Sequence, residues 1–146
     1  MIATQFLEIF ERDIPKLQEE IRAYKTDADM WKTPGQITNS AGTLCLHLIG
    51  NLNHFIGAVL GHTGYVRQRE LEFSLRDHPR EAMLKALDEV LPIVRKTLSN
   101  LTDSELEKDF PIEFLGHRKT IQVLIILVGH LEYHMGQINY HRRMLA

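Results

Sequence analysis

Four stretches of the chain carry apolar residues at steps of three and four, the spacing that places them on one face of an α-helix. In the first stretch this spacing continues across Pro15, so it predicts one helix over about residues 3–25, kinked at the proline. Four long helices in one chain favour an all-α fold, a four-helix bundle, with a single domain over residues 1–146. The other three predicted helices cover about residues 40–61, a stretch that starts after Asp77 and has its apolar seam over residues 84–101, and residues 121–143.

Residues that favour helix starts precede these segments. Thr102 and Glu105 fit a capping box, which predicts a short helical turn after the third helix. The candidate N-caps of the long helices are Thr38, Asn39 or Ser40 for the second, Asp77 for the third and Thr120 for the last.

The connections between the helices have patterns of their own. Residues 26–37 hold the breaker pair Pro34-Gly35, which predicts a linker. Residues 65–77 are charged and predict a connecting loop or a short turn. Before the last helix three apolar residues alternate with polar ones, which predicts a small hairpin or an irregular segment. These residues are Phe110, Ile112 and Phe114.

The composition argues against several classes of protein. A formal charge of −2 is not that of a nucleic-acid-binding protein, which would carry a basic stripe. A single cysteine, Cys45, excludes an intramolecular disulfide framework and a multi-cysteine metal site, and it favours a cytoplasmic protein. Residues 1–13 lack the pattern of a signal peptide. The longest strictly apolar run, residues 123–128, is far shorter than the roughly 18 residues of a membrane span.

The histidines carry the clearest signal of function. His130 and His134 are four positions apart on the apolar face of the last helix, and two imidazoles at this spacing can bind one metal ion. A third ligand is available on the second helix from His47 or His54. Both cannot bind, because seven residues span about 10.5 Å of helix. The same argument places His141 too far away, and we expect it at the surface or at a pocket rim.

Such a site has a defined chemistry. Three neutral imidazoles leave a divalent ion its full charge, so it can lower the pKa of a bound water or thiol, and open coordination positions are typical of a catalytic site. We expect Zn, Ni or Fe, since imidazole suits all three. Gln137 can hydrogen-bond a ligand, and Asn51 and His54 are candidate pocket residues. No general base is evident, since Glu132 and Tyr133 point away from the ligand face.

A charged cluster of Arg67, Arg69 and Glu72 follows the second helix. One interpretation is a solvated connector. The other is an anion-binding rim, in which Arg67 and Arg69 bind the carboxylates of a small thiol. Cys45 faces away from the candidate ligands around the helix, and we expect it to be a small buried apolar residue.

Two motifs resemble those of the DinB/YfiT-like superfamily of metal-binding four-helix bundles. They are HLIGNL, which begins at His47, and GHLEYHMGQI, which holds His130 and His134, and the likeness covers nearly the whole chain. The resemblance implies metal ligation by these three histidines, and so favours His47 over His54. It implies an up-down-down-up bundle, with the second and last helices antiparallel, and a homodimer. Similar proteins use low-molecular-weight thiols as S-transferases or isomerases, and the wider superfamily is described as metal-dependent hydrolases.

Three hypotheses of function follow. The first is an enzyme that activates a low-molecular-weight thiol or water at a three-histidine metal site and acts on a small-molecule substrate. The second is a metal-binding protein of the stress response that has no catalytic activity. The third is a metal-free structural bundle whose apolar seams form a dimer. Neither a nucleic acid nor a membrane is an expected partner.

Overall fold

The computed structural model describes residues 1–146, and the chain is all-helical with no strands. A 3₁₀ turn, Ala28–Trp31, lies between the first two helices, and a π-helical segment, Asn53–Leu60, directly continues the second. The α-helices are α1 (Ile2–Arg22), α2 (Ala41–Leu52), α3 (Arg69–Ser74), α4 (Arg80–Ser99), α5 (Asp103–Leu106) and α6 (Thr120–Leu145).

Helix α1 is one helix that includes Pro15, as its apolar spacing predicts, although it ends at Arg22 rather than near residue 25. Its buried face holds Phe10, Ile14 and Leu17. Burial of these side chains stabilises the helix by more than the backbone hydrogen bond lost at the proline costs.

Helix α2 is the central helix of the core. Ser40 is its N-cap, and the hydroxyl accepts a hydrogen bond from the backbone N–H of Thr43 at 3.1 Å. Every residue of α2 except Leu46 is buried. From Asn53 the chain is wound as a π-helix, which the 3.6-residue spacing does not predict. The wider winding changes the face that each later residue presents.

Two predicted helix caps are wrong. The N-cap of α4 is Pro79, and Asp77 lies before it with a φ of 55°, outside the helix. Thr120 is the first residue of α6 rather than its cap. The N-cap there is Lys119, whose backbone N–H donates to the Gln122 side chain at 2.8 Å. The prediction looked for a capping side chain, whereas here the backbone N–H of Lys119 is capped by the side chain of Gln122.

The four long helices surround one core, and each of them packs against two of the others. Helix α1 packs against α4 and α6, and α2 packs against the same two helices. Polar contacts join α1 to both of its neighbours. Gln18 donates to Asp88 of α4 at 2.6 Å, and Arg12 donates to Glu132 of α6 at 2.7 Å. The interior holds one cluster of 27 buried apolar residues. This packing sets a buried face of α2 against α6.

The charged stretch 65–77 is more structured than the predicted loop. It contains helix α3, which packs against α2 and buries Glu72. The sequence pattern missed this helix because it is one and a half turns long and mostly exposed.

The segment before α6 is irregular, one of the two forms predicted for it. It holds a single isolated bridge between Asp109 and Lys119 and no strand. Phe110 is buried, and the Phe114 ring meets the Phe55 ring edge-on at 4.5 Å between centroids. The capping box of Thr102 and Glu105 is confirmed at the start of α5.

His141 is buried rather than at the surface, and it lies in the wall of a cavity, which is the other of the two positions expected for it. Its Nε2 is 2.8 Å from the Lys32 carbonyl oxygen, to which it donates. Its Nδ1 is 2.7 Å from the Tyr24 hydroxyl. This residue therefore connects α6 to the segment that follows α1, at Tyr24 and at Lys32.

One helical stretch, Ala41–Leu60, is long and apolar enough to cross a membrane by length and composition alone. Most of it is buried inside the bundle, as the core helix of a globular fold would be. This stretch contains glycine and polar residues, so it is apolar only on average. The run at residues 123–128 is shorter because it counts strictly apolar residues alone.

Candidate metal centre

Three histidines from two helices meet between α2 and α6. His47 is buried on α2, and His130 and His134 are half-buried one turn apart on α6. One ring nitrogen from each lies within 4.8 Å of the other two. The structure thus brings together a three-histidine group that could hold a metal ion.

The spacing of the ring nitrogens fits shared coordination. The Nε2 atoms of His47 and His130 are 3.0 Å apart. Two nitrogens at about 2.0–2.1 Å from one ion, with an angle of about 90–109° between them, lie about 2.9–3.4 Å apart. The two rings therefore already stand at the separation that ligands of one ion require.

The outer nitrogens of two rings have hydrogen-bond acceptors. Nδ1 of His47 is 3.1 Å from a carboxylate oxygen of Glu72, and Nδ1 of His134 is 2.7 Å from the amide oxygen of Gln137. An acceptor at Nδ1 places the proton there and leaves the lone pair on Nε2, toward the other histidines. Nδ1 of His130 is buried and has no partner.

The surroundings keep the imidazoles on α6 neutral. Burial, with the nearby His134 and His47, lowers the pKa of His130 to about 4. Burial also lowers the pKa of His134, against the opposing effect of its hydrogen bond to Gln137. Since only a neutral imidazole has a free lone pair, both rings are ready to bind a metal at neutral pH.

Sequence reasoning placed Glu72 in a charged cluster but missed its contact with His47. Arg67 donates to both of its carboxylate oxygens, each at 2.9 Å, in addition to the contact from His47. Burial alone would raise the pKa of Glu72, but the hydrogen bonds from His47 and Arg67 hold it below its usual value. A charged carboxylate is therefore fixed behind His47.

Gly50 makes this arrangement possible. A Cβ atom at this position would overlap the carboxylate of Glu72, so only glycine leaves room for the carboxylate where it now lies. Gly50 follows His47 by three residues and so lies on the same face of α2. That glycine, within an otherwise helix-forming segment, is the sequence signal that marks the close approach.

Residues 2–146 match the family described as Protein of unknown function (DUF1572). The chain belongs to this family. The match covers all but the first residue of the sequence, and so includes the three histidines and Glu72. No curated protein matches the chain.

The two arginines of the DUF1572 chain that were predicted as an anion-binding rim have different surroundings. Arg67 is largely buried and paired with Glu72. Arg69 is exposed and lies over the Phe73 ring, 4.9 Å from its centroid. Both border one open surface cavity together with Glu70. The charge of Arg67 is already balanced, so Arg69 is the cation with more freedom to meet an anion.

The remaining predicted pocket residues of the DUF1572 chain, Asn51 and His54, make no hydrogen bond to the histidine group. Asn51 is buried on α2 and makes no hydrogen bond to the three histidines. His54 lies in the π-helical segment, where its ring packs edge-on against Phe55 and its Nδ1 is buried without a partner. Cys45 is fully buried, and burial raises the pKa of its thiol to about 12.

A cavity of about 530 Å³ adjoins the histidine group on one side of α6. His134 and Gln137 form part of its wall, whereas His47 and His130 do not. A molecule in this cavity would contact the DUF1572 chain next to one candidate ligand.

Proposed function

We propose that His47, His130 and His134 bind one divalent transition-metal ion, Zn, Ni or Fe, and that the site serves an enzyme that transfers a small thiol to an electrophilic small molecule. The convergence of three ring nitrogens within 4.8 Å, from two helices of a buried core, carries this proposal. The hydrogen bonds at the outer nitrogens of His47 and His134 support it, because they turn Nε2 inward.

The donor set favours catalysis over a purely structural role. Three neutral nitrogen ligands leave coordination positions open and leave the ion its full charge, which would lower the pKa of a bound thiol. The thiolate sulfur would attack an electrophilic carbon and form a C–S bond, while the leaving group departs with its electron pair and the thiol proton passes to solvent.

The partners of Glu72 favour a thiol over water as the nucleophile. Glu72 is the only carboxylate that hydrogen-bonds the histidine group, and both of its oxygens are engaged by Arg67. A base commonly assists hydrolysis by taking a proton from the attacking water, and Glu72 is not free to act as that base. A thiol, with an ordinary pKa of about 8.5, loses its proton with much less assistance.

We also propose that the DUF1572 chain belongs to the DinB/YfiT-like superfamily and forms its up-down-down-up bundle. Contacts between α1 and α6 rise together in residue number, which supports a parallel pair. Contacts between α1 and α4, and between α2 and α6, run in opposite directions, which supports antiparallel pairs. The contacts are Arg12–Glu132 and Glu20–Arg142 for the first pair, Glu11–Arg95 and Gln18–Asp88 for the second, and His47–His130 with the cavity residues Ala41 and His141 for the third.

A homodimer in the cytoplasm remains part of the proposal. The resemblance to the superfamily supports the dimer. The single buried cysteine, which needs no oxidising environment, supports the location. A small-molecule substrate, rather than a nucleic acid or a membrane, is consistent with the formal charge of −2 and the buried apolar helix.

Cobalt substitution tests the proposed function. We expect one Co²⁺ per chain with the visible absorption of a low-symmetry site, and a new sulfur-to-cobalt charge-transfer band when a small thiol such as 2-mercaptoethanol is added. The His134→Ala variant should lose both signals. The His117→Ala variant should keep them, because His117 is exposed in the segment before α6.

An activity assay with the same wild type and variants, loaded with Zn²⁺, decides between an enzyme and a non-catalytic metal-binding protein. Each protein is mixed with the thiol and monobromobimane. Faster S-alkylation by the wild type than by His134→Ala supports the transferase. Cobalt binding with no thiol band and no rate enhancement would indicate a non-catalytic metal-binding protein. Failure to bind cobalt would contradict the metal site.

A further inference from the structure

The cavity beside His134 has walls from two helices and from the linker. Helix α6 contributes Tyr133, Tyr140 and Met144, which are all exposed, and α2 contributes Leu44. The linker contributes Ile37, among others. The volume of about 530 Å³ lies within the range of about 300–1,000 Å³ that is typical of small-molecule pockets.

The cavity wall carries no formal charge from carboxylate, ammonium or guanidinium groups. None of its thirteen residues is Asp, Glu, Lys or Arg. Of its two histidines, His134 belongs to the candidate metal centre, and His141 uses both ring nitrogens in hydrogen bonds to Tyr24 and Lys32. An ionic ligand would therefore lose water here without gaining an opposite charge from any residue of the wall.

The nearby cations of α6 are engaged elsewhere. Arg142 donates to Glu20 at 2.8 Å. Arg143 lies over the Tyr140 ring, 5.3 Å from its centroid, and is not part of the cavity wall. The charge of Arg143 is exposed to solvent, where its attraction for a distant anion is screened.

The polar groups that remain are neutral amides and hydroxyls. The Gln137 amide oxygen accepts from His134, so its NH₂ group is left to donate to a ligand. Thr38 and Asn39 offer a hydroxyl and a second amide on the linker side. Apolar walls with a few neutral hydrogen-bonding groups select ligands by shape and by uncharged polar atoms.

We propose that this cavity binds the substrate of the three-histidine site, and that this substrate is an uncharged, largely apolar or aromatic small molecule. The inference rests on the proposed function in one respect: it takes the histidine group as the reacting centre. It places the electrophile at the α6–linker side, away from Arg67 and Arg69 on the other side of the histidine group.

A matched pair of fluorescent probes tests the charge selectivity. N-phenyl-1-naphthylamine is neutral, and 8-anilinonaphthalene-1-sulfonate is the same arylamine with a sulfonate. We expect saturable binding of the neutral probe to the metal-free full chain, at least about tenfold tighter than binding of the sulfonate, because no residue of the wall offers the anion a partner of opposite charge.

Two isoleucine substitutions locate the binding. Ile37 lies in the cavity wall, whereas Ile125 is exposed on α6 outside it. Ile37→Lys should weaken the neutral probe and strengthen the sulfonate, while Ile125→Lys should change neither. If Ile37→Lys lacks the helical circular dichroism of the wild type, Tyr140→Arg provides the same test from the α6 side.

The outcomes separate this inference from the proposed function. Zn²⁺ uptake with equal or tighter binding of the sulfonate, or with equal effects of Ile37→Lys and Ile125→Lys, would overturn the inference and leave the metal site intact. Loss of neutral-probe binding as the protein concentration rises would show that a second copy covers the cavity, and would also overturn it. Selective binding in a chain that takes up no Zn²⁺ would contradict the proposed function instead.

Discussion

Proton positions on the three imidazole rings decide what the histidine group can bind. Glu72 accepts at the outer nitrogen of His47, and Gln137 does the same for His134. The carboxylate is the stronger acceptor, because it is charged and is itself held by Arg67. The ligand on α2 is therefore the most firmly oriented of the three, and it should be the most sensitive to changes behind it.

Glu72→Gln tests this residue-scale account. An amide is a weaker acceptor for the N–H of His47 and leaves the guanidinium of Arg67 without its anion, so we expect Zn²⁺ affinity to fall by about 10–100-fold. Competition titration against a chromophoric chelator measures the change. Glu70→Gln on the same short helix is the control, since Glu70 is exposed and should have no effect. Equal affinities for Glu72→Gln and the wild type would contradict the account.

Acidification should destabilise the metal-free protein. The pKa of His130 is about 4 in the fold, below the value of about 6.5 in an unfolded chain, and that of His134 shifts in the same direction. Between these values the unfolded chain binds more protons, so the free energy of unfolding falls as the pH drops from about 6.5 toward 4.

Urea unfolding in the presence of a chelator, between pH 7.5 and 4.5, measures this slope. In His130→Asn the slope should be smaller, while His117→Ala should retain it because His117 is exposed. The chosen range lies above the ordinary carboxylate pKa values of about 4. At lower pH the protonation of Glu72 would add a further loss of stability. An unfolding free energy that rises on acidification would be the opposite of this prediction.

At the level of helices, α2 and α3 form one unit through Gly50. Glu72 can reach the back of His47 only because α2 has no side chain at that point. A helix interior disfavours glycine by about 0.5–1 kcal/mol relative to alanine, so its presence in α2 is a local cost that the close approach of α3 offsets.

Gly50→Ala should therefore reverse the usual benefit of alanine in a helix. The new methyl group displaces Glu72, and we expect a net loss of about 1–3 kcal/mol from the free energy of unfolding, together with weaker Zn²⁺ binding. Gly129→Ala on α6 is the control, because nothing lies within 4 Å of a Cβ there. That variant should gain up to about 1 kcal/mol. Similar stabilities for both variants would refute the coupling of α2 to α3.

The sequence predicts the long helices well because each has an apolar face with a regular period. It predicts the pair His130 and His134 for the same reason, since spacing on one helix fixes their geometry. It leaves the choice between His47 and His54 to the resemblance. The structure places His54 outside the histidine group, in the π-helical segment that begins at Asn53.

The contacts of Glu72 could not be predicted in the same way. They depend on a helix of six residues that has little periodicity, and on the packing of α3 against α2. Local sequence gives charge, but only tertiary packing determines that this charge is buried and paired. The misplaced caps at Asp77 and Thr120 have a similar origin, since boundaries depend on one or two backbone torsions.

At the scale of the whole molecule, the candidate ligands join two long helices that have no direct chain connection. Between α2 and α6 lie α3, α4 and α5. An ion shared by His47, His130 and His134 would cross-link α2 and α6 and stabilise the folded state by mass action. The fold does not need the ion to form, because the 27 buried apolar residues already supply a core.

The most direct test of the central claim is the metal content of the untagged protein by mass spectrometry, beside a His130→Ala/His134→Ala double variant. Our account predicts close to one Zn, Ni or Fe ion per chain in the wild type and none in the variant, with a higher Tm for the metal-bound wild type. If neither protein holds metal after reconstitution with all three ions, the three histidines are packing residues and the account is wrong.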